Sequence, residues 1–301
     1  MKRTINYFFS KNLIDFKKVL GANLWEVANK EKVNNHKSFE RFILLFKFFL
    51  RTLYNSLLST PEIKFPENKK NIIFYIRAYS RLDLDKHSTY YENVQSTSVC
   101  IFKKRKFYID LFSFFKSLFL LFKSRNSWLK VFNSYGVRLF SYDGIKVFII
   151  LFDALSDALK TMPYLFKHQK LVSFQEHVAV ENILCQVANL NDINTFALQH
   201  AICNYDETGS YESRYPIVTY LNSVSKTILV WGNYNKDIFT KHTNAKIFII
   251  GKASLPVETP LLEGVTFIYE NTEFYNANKK LLSLSNNLLK SGVPISNWFK
   301  P

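Results

Sequence analysis

Cysteine is scarce in this chain of 301 residues. Its three cysteines, Cys100, Cys185 and Cys203, have neither an even number nor a metal-ligand spacing. We therefore expect reduced thiols in a cytosolic compartment rather than a disulfide framework.

Long apolar runs are also missing. Charges interrupt every candidate span well short of about 18 residues, so we predict no transmembrane helix. The first residues lack an apolar core with a small-residue cleavage site, and we do not expect a secretory signal.

Charge is distributed unevenly along the chain, which carries a net charge of +16. Residues 1–166 contain 28 Lys and Arg against 13 Asp and Glu, whereas residues 167–301 contain 12 against 11. The hydrophobic content of 48% indicates a globular protein, long enough for two domains. We predict a basic, aromatic-rich domain over 1–165 and a second domain over 166–301. The basic half should face an anionic partner: nucleic acid, lipid headgroups or a phosphorylated carrier.

The first half contains three long apolar stretches with helical period, at residues 38–58, 107–124 and 147–166. Their polar residues form narrow faces, so the apolar arcs are wider than a surface helix needs. A buried core explains such helices most simply. Residues 72–76 read as a buried strand, and residues 136–144 read as a short strand that ends in an Asp-Gly turn.

The second half alternates strands with helices. Strands are predicted at 169–174, 194–201, 227–232, 245–254 and 264–270, and helices at 176–193, 233–242 and 274–291. This alternation predicts an α/β fold with a parallel sheet and helices on both faces. Asn182 and Glu176 are expected on an exposed helix face or cap.

Unusual residues follow three of these strands. In an open parallel sheet, ligands bind beyond the carboxyl ends of the strands, which share one edge. Glycine there lets backbone amides approach a phosphate, a lysine neutralises a diphosphate, and a histidine donates a hydrogen bond to phosphate or sugar. The candidate phosphate- and sugar-binding residues, which are donor-binding residues if the ligand is a nucleotide sugar, are Gln199, His200, Trp231, Gly232, Asn233, Gly251, Lys252 and Ser254.

These strand ends carry a resemblance to a known group. The resemblance is to bacterial surface-polysaccharide glycosyltransferases of the GT-B type and covers roughly residues 170–255. It is carried by two stretches, "ENILCQVANLNDINTFALQHAICNYD" and "KTILVWGNYNKDIFTKHTNAKIFIIGKAS". The resemblance implies two Rossmann-like domains that face a cleft, with the nucleotide-sugar donor in the C-terminal domain and the acceptor in the N-terminal one. Two positions depart from the pattern: Ala201 replaces a glycine, and Gly251-Lys252-Ala253 replaces a Gly-x-Pro turn. The chain ends where such proteins continue, so a short or truncated C-terminal domain is expected.

The catalytic base is left open among His87, Asp83 and Asp143, because an inverting transferase needs a group that deprotonates the acceptor hydroxyl. Asp83 and Asp85 form an Asp-x-Asp, which holds a divalent metal in another glycosyltransferase fold. It does not end a strand, so we expect a metal-independent enzyme with no cofactor besides the donor. Asp206 and Glu207 fit a solvated loop, or a loop that binds sugar hydroxyls.

A run of four basic residues precedes the second apolar stretch: Lys103, Lys104, Arg105 and Lys106. Together with the Phe and Leu that follow, it suggests an amphipathic helix in an anionic headgroup layer.

We expect a hexosyltransferase or related sugar transferase in the cytoplasm, peripheral on the inner face of the cell membrane, with a lipid-linked or oligosaccharide acceptor. Alternatives are a sugar-nucleotide epimerase of the same fold and a non-catalytic partner subunit of a transferase. No helix-turn-helix or stacking platform supports nucleic-acid binding.

Overall fold

The computed structural model describes residues 5–29, 38–64, 72–76, 97–166, 169–173, 179–199, 222–251, 265–269 and 275–299. The chain forms two compact units, Met1–Ala253 and Ser254–Pro301. The elements of the first unit are α1 (Ile5–Ser10), α2 (Phe16–Asn29), α3 (Ser38–Leu58), β1 (Ser59–Lys64), β2 (Ile72–Ile76), β3 (Thr97–Phe107), α4 (Leu111–Lys123), α5 (Arg125–Ser134), α6 (Tyr142–Leu165), β4 (Lys170–Ser173), α7 (Ala179–Asn189), β5 (Asn194–Leu198), β6 (Thr227–Val230), α8 (Asn233–His242) and β7 (Lys246–Ile249). The second unit contains β8 (Val265–Tyr269), α9 (Tyr275–Lys290) and β9 (Ile295–Phe299).

The first unit is built on a seven-stranded sheet with the order β1-β3-β2-β4-β5-β6-β7. Only β1 is antiparallel, to β3, and the other neighbours pair in parallel. The predicted α/β class and the parallel pairing of β4 to β7 are confirmed. The strand order reverses at β2, which puts a topological switch point between β2 and β4. In the second unit, β8 pairs in parallel with β9 as a separate two-stranded sheet.

The expected domain boundary at 165/166 lies inside the first unit. Strand β2, before that boundary, pairs along its length with β4, after it, from Ile72 beside Lys170 to Tyr75 beside Ser173. The basic half and the near-neutral half therefore contribute strands to one sheet. Charge composition is a statement about surfaces and partners, and it does not determine which strands pair.

Helix α6 is the central helix of the apolar core. It begins at the N-cap Ser141, whose Oγ accepts a hydrogen bond from the Gly144 N–H at 3.1 Å. The predicted short strand over 136–144 is wrong: this segment contains a turn and then the start of α6. Gly144 is required there because a Cβ would collide with the carbonyl oxygen of Arg138. Residues Leu151 to Ala158 of α6 are all buried.

The predicted helices over 38–58, 107–124 and 147–166 are confirmed as α3, α4 and α6. The simple interpretation of α3 and α4 as core helices is incomplete, because both expose large apolar side chains. Their buried residues include small polar ones and, in α4, Leu120 and Leu121. Asp153, Asp157 and Lys160, aligned on one side of α6, are all buried. Within the described residues, no helix is long and apolar enough to cross a membrane.

Candidate functional site

The carboxyl ends of β5, β6 and β7 lie side by side. Leu198 pairs with Leu229, and Val230 pairs with Ile249. The pairing continues beyond the strands, because the Ile250 N–H donates to the Val230 carbonyl oxygen at 2.8 Å. The structure thus brings five predicted donor-binding residues to one edge: Gln199, Trp231, Gly232, Asn233 and Gly251.

Gln199 connects two of these strand ends. Its side chain is fully buried, and its Oε1 accepts a hydrogen bond from the Trp231 N–H at 2.8 Å. Its own N–H donates to the Leu229 carbonyl oxygen at 2.9 Å. The amide therefore fixes the turn from β6 into α8, so Gln199 is a positioning residue at this edge.

Helix α8 begins directly after that turn, with Gly232 as its N-cap. Gly232 has extended backbone angles (φ −169°, ψ 178°), and no described atom lies within 4 Å of the position a Cβ would occupy. Gly232 has no side chain with which to cap the helix, and α8, which is described completely, has no acidic residue in its first turn but Lys241 and His242 in its last. The first N–H groups of a helix have no partner within the helix and carry a partial positive charge. Space and charge together suit an anion at this end of α8.

Gly251 follows β7 with a φ of +75°, in the left-handed region that favours glycine. As at Gly232, the described part of the chain leaves open space around its Cβ position. Its neighbours in the prediction, Lys252 and Ser254, lie outside the described residues, and so does His200.

The candidates for the catalytic base are not brought to this edge by the described structure. Asp143 is exposed in the first turn of α6, where a carboxylate stabilises the helix N-terminus. His87, Asp83 and Asp85 lie outside the described residues, as do Asp206, Glu207 and Glu176. Among the residues with described side chains, no three His, Cys, Asp or Glu come together as a metal site.

The basic run Lys103–Lys106 lies in β3, where Arg105 pairs with Pro61 and Lys106 with Thr60 of β1. The predicted amphipathic helix that joins this run to the following Phe and Leu is therefore wrong. The run is extended because β3 pairs with β1 on one side and β2 on the other. Helix α4 starts only at Leu111, after the N-cap Asp110, whose Oδ1 accepts from the Ser113 N–H at 2.8 Å.

The buried residues of α7 form a polar network that was not predicted from the sequence. Asn182 was instead expected on an exposed face of the helix. Asn182 is fully buried, and its Nδ2 donates to the Asn222 carbonyl oxygen at 2.7 Å. The Gln186 Nε2 donates to the Asn182 Oδ1 at 2.8 Å and to the Asp15 carbonyl oxygen at 3.1 Å. The i, i+4 spacing of Asn182 and Gln186 was the available signal.

A second part of this network holds the segment that enters β6. The Asn189 Nδ2 donates to the Val224 carbonyl oxygen at 2.6 Å, and the Thr195 Oγ1 donates to the Asn189 Oδ1 at 2.7 Å. Thr195 in turn accepts from the Lys226 N–H at 2.9 Å. Thr195 lies near the start of β5, and Gln199 follows the end of β5. The hydrogen bonds of these two residues together position β6 and therefore the N-terminus of α8.

The strand order and this edge define an α/β protein with a mainly parallel sheet, a class that binds small ligands at the carboxyl edge. The topological switch point between β2 and β4 lies on the same edge, and the residues that follow those two strands are outside the described ranges. Comparison with known proteins gives no match to a family model, a curated protein or a solved structure. The assignment of function therefore rests on the residues and their geometry.

Proposed function

We propose that the protein is a glycosyltransferase that moves a sugar from a nucleotide-sugar donor to a lipid-linked surface-polysaccharide acceptor. The observation that carries the proposal is the glycine-capped N-terminus of α8, which begins beside Gln199 at the carboxyl edge of the sheet. A nucleotide diphosphate is the ligand that such an edge suits best, because backbone N–H groups and the helix dipole meet its charge.

Each residue at the edge has a part in this proposal. The N–H groups that follow Gly232 hydrogen-bond the diphosphate, and Gln199 holds them in place through the Trp231 N–H. Lys252, next in the chain after Gly251, neutralises the second phosphate charge. His200, next after Gln199, donates a hydrogen bond to phosphate or sugar.

On the acceptor side of the proposal, the base is His87, Asp83 or Asp143, and the enzyme works on the inner face of the cell membrane. The two expected domains of a GT-B-like arrangement would share one sheet, because β2 and β4, one from each, pair with each other.

Donor binding is tested by isothermal titration calorimetry of the full chain with UDP-, GDP-, CMP- and dTDP-linked sugars. Gly232→Val is the informative variant, because an extended backbone accepts valine and the described surroundings leave room for it. Its side chain would cover the first amides of α8, so we expect donor binding to fall at least about tenfold. Gly232→Ala is the matched control and should bind more nearly as the wild type does.

The reaction class is tested with the donor that binds. Sugar transfer to a lipid-extract acceptor supports the proposal, whereas conversion of the donor without any acceptor indicates an epimerase. A folded wild-type chain that binds none of the nucleotide sugars contradicts it.

A further inference from the structure

Helices α3 and α4 expose a surface of aromatic side chains. Six phenylalanines on it, each more than half exposed, define what we call the phenylalanine face: Phe42, Phe46, Phe112, Phe115, Phe119 and Phe122. Their spacing within each helix is three or four residues, which places them on one side of that helix. A contiguous apolar surface of this kind is uncommon on a protein that meets only water.

The buried sides of the same helices contain small polar residues, together with Leu120 and Leu121 in α4. In α4 the Ser117 Oγ donates to the Ser113 carbonyl oxygen at 2.6 Å, and in α3 the Ser56 Oγ donates to the Thr52 carbonyl oxygen at 2.6 Å. The buried hydroxyls are thus satisfied within their own helices. A surface helix ordinarily turns its apolar side to the core and its polar side to water, whereas α3 and α4 expose large apolar side chains.

The two helices form one surface. Both pack against α6 and against each other, so their outward sides both point away from α6. Backbone hydrogen bonds also join their ends: the Tyr108 N–H donates to the Leu58 carbonyl oxygen at 3.1 Å, and the Asp110 N–H donates to the Leu57 carbonyl oxygen at 2.9 Å.

Cations lie directly over the rings of α4. The Lys116 Nζ is 4.8 Å from the centre of the Phe112 ring, and the Arg125 guanidinium is 5.3 Å from that of Phe122. The sequence of α4 contains no acidic residue, and α3 has one, Glu40, against three basic residues. An apolar face bordered by cations matches an anionic lipid surface, with rings at the acyl boundary and cations at the phosphates. A symmetric contact with a second copy would instead bring the cations of both faces together.

We propose that α3 and α4 dock the protein on an anionic lipid bilayer, with the phenylalanine face lying in the headgroup region. This docking is independent of sugar transfer, although it would bring the chain to a lipid-linked acceptor. It assigns membrane contact to α3 and α4, where the sequence pointed to one helix made of the run Lys103–Lys106 and the Phe and Leu that follow it.

Vesicle flotation of the full chain tests the proposal, with no nucleotide sugar present. Wild type should float with vesicles of phosphatidylcholine and phosphatidylglycerol and bind pure phosphatidylcholine much more weakly. Phe115→Ser with Phe119→Ser should reduce binding at least about tenfold, since the apolar contact is lost. Lys116→Glu with Lys123→Glu should reduce it at least about thirtyfold, because each basic residue near an anionic surface contributes about fivefold and the new carboxylates repel the anionic headgroups.

Phe140→Ser is the matched control, because Phe140 is 91% exposed outside both helices. It should bind vesicles as the wild type does, and all variants should keep the wild-type melting temperature. The proposal is overturned if wild type binds neither vesicle, or if the phenylalanine pair binds like the control. It is also overturned if wild type is a dimer that ignores vesicles and becomes a monomer in the phenylalanine pair, which would assign the face to self-association. None of these outcomes depends on whether the protein binds a nucleotide sugar, so the test is separate from the test of donor binding.

Discussion

Lys160→Met removes a buried ammonium that donates hydrogen bonds to the end of α3. The Lys160 Nζ donates to the carbonyl oxygens of Asn55 at 2.9 Å, Ser56 at 2.7 Å and Ser59 at 2.7 Å. The first two lie in the last turn of α3, and the third follows it directly. Lysine therefore supplies donors to a helix C-terminus, where the helix dipole also favours a cation. Methionine has a similar length but no donor.

The expected cost follows from these bonds. A hydrogen bond to a charged group contributes about 1.5–3 kcal/mol, and a buried acceptor left unsatisfied costs about 1–3 kcal/mol. Removal of the ammonium also removes the cost of burying it, which offsets part of the loss. We expect the free energy of unfolding to fall by about 2–4 kcal/mol. At about 2–4 °C per kcal/mol for a chain of this size, the melting temperature should fall by roughly 4–16 °C.

Thermal and urea denaturation followed by circular dichroism provide the assay. The matched control is Lys146→Met, the same substitution at an exposed position of the same helix, which should change stability by no more than about 0.5 kcal/mol. If Lys160→Met is as stable as Lys146→Met, the last turn of α3 does not depend on the ammonium and the reasoning is refuted.

Three further predictions concern stability and titration. Gly21→Ala should lower the melting temperature, because its Cβ would overlap the Asn222 side chain. An unchanged melting temperature would contradict this, since the Asn222 side chain would then move aside without cost. Gln199→Leu should lower the free energy of unfolding by about 1–3 kcal/mol, since the partly buried Trp231 N–H loses its acceptor; equal urea midpoints would contradict this. Burial raises the pKa of the Tyr135 phenol, so its contribution to stability is present at neutral pH and is lost as the pH rises through the folded-state pKa. In an alkaline absorbance titration, Tyr135→Phe should lack a late step, and loss of an early step would count against the prediction.

The second half of the chain was predicted well because its signals are local. Each strand from β4 to β7 is a short apolar run, and α7 and α8 follow β4 and β6 within a few residues. Parallel pairing then brings the ends of β5 and β6 together, as the Gln199 to Trp231 bond shows. The network of Asn182 was missed because its partner Asn222 is 40 residues away in the chain.

The structure of the first half was harder to predict, because it depends on contacts between residues that are distant in the sequence. The period of α3 and α4 predicted helices but not which side faces inward, and that side is determined by α6, which buries Asp157 and Lys160. The run Lys103–Lys106 was assigned to the following helix because the pairing of β3 with β1 and β2 is not visible locally.

Gly232→Asp tests the central claim most directly, because it separates structure from ligand binding. A carboxylate at the N-cap should stabilise α8 by a few tenths to about 1 kcal/mol, so the melting temperature without ligand should hold or rise. The same carboxylate would repel a diphosphate about 4 Å away by roughly 1–4 kcal/mol. Calorimetric titration with the donor that the wild type binds should therefore show at least about tenfold weaker binding. A variant that is equally or more stable and binds the donor as tightly as wild type would show that the diphosphate does not lie at the N-terminus of α8.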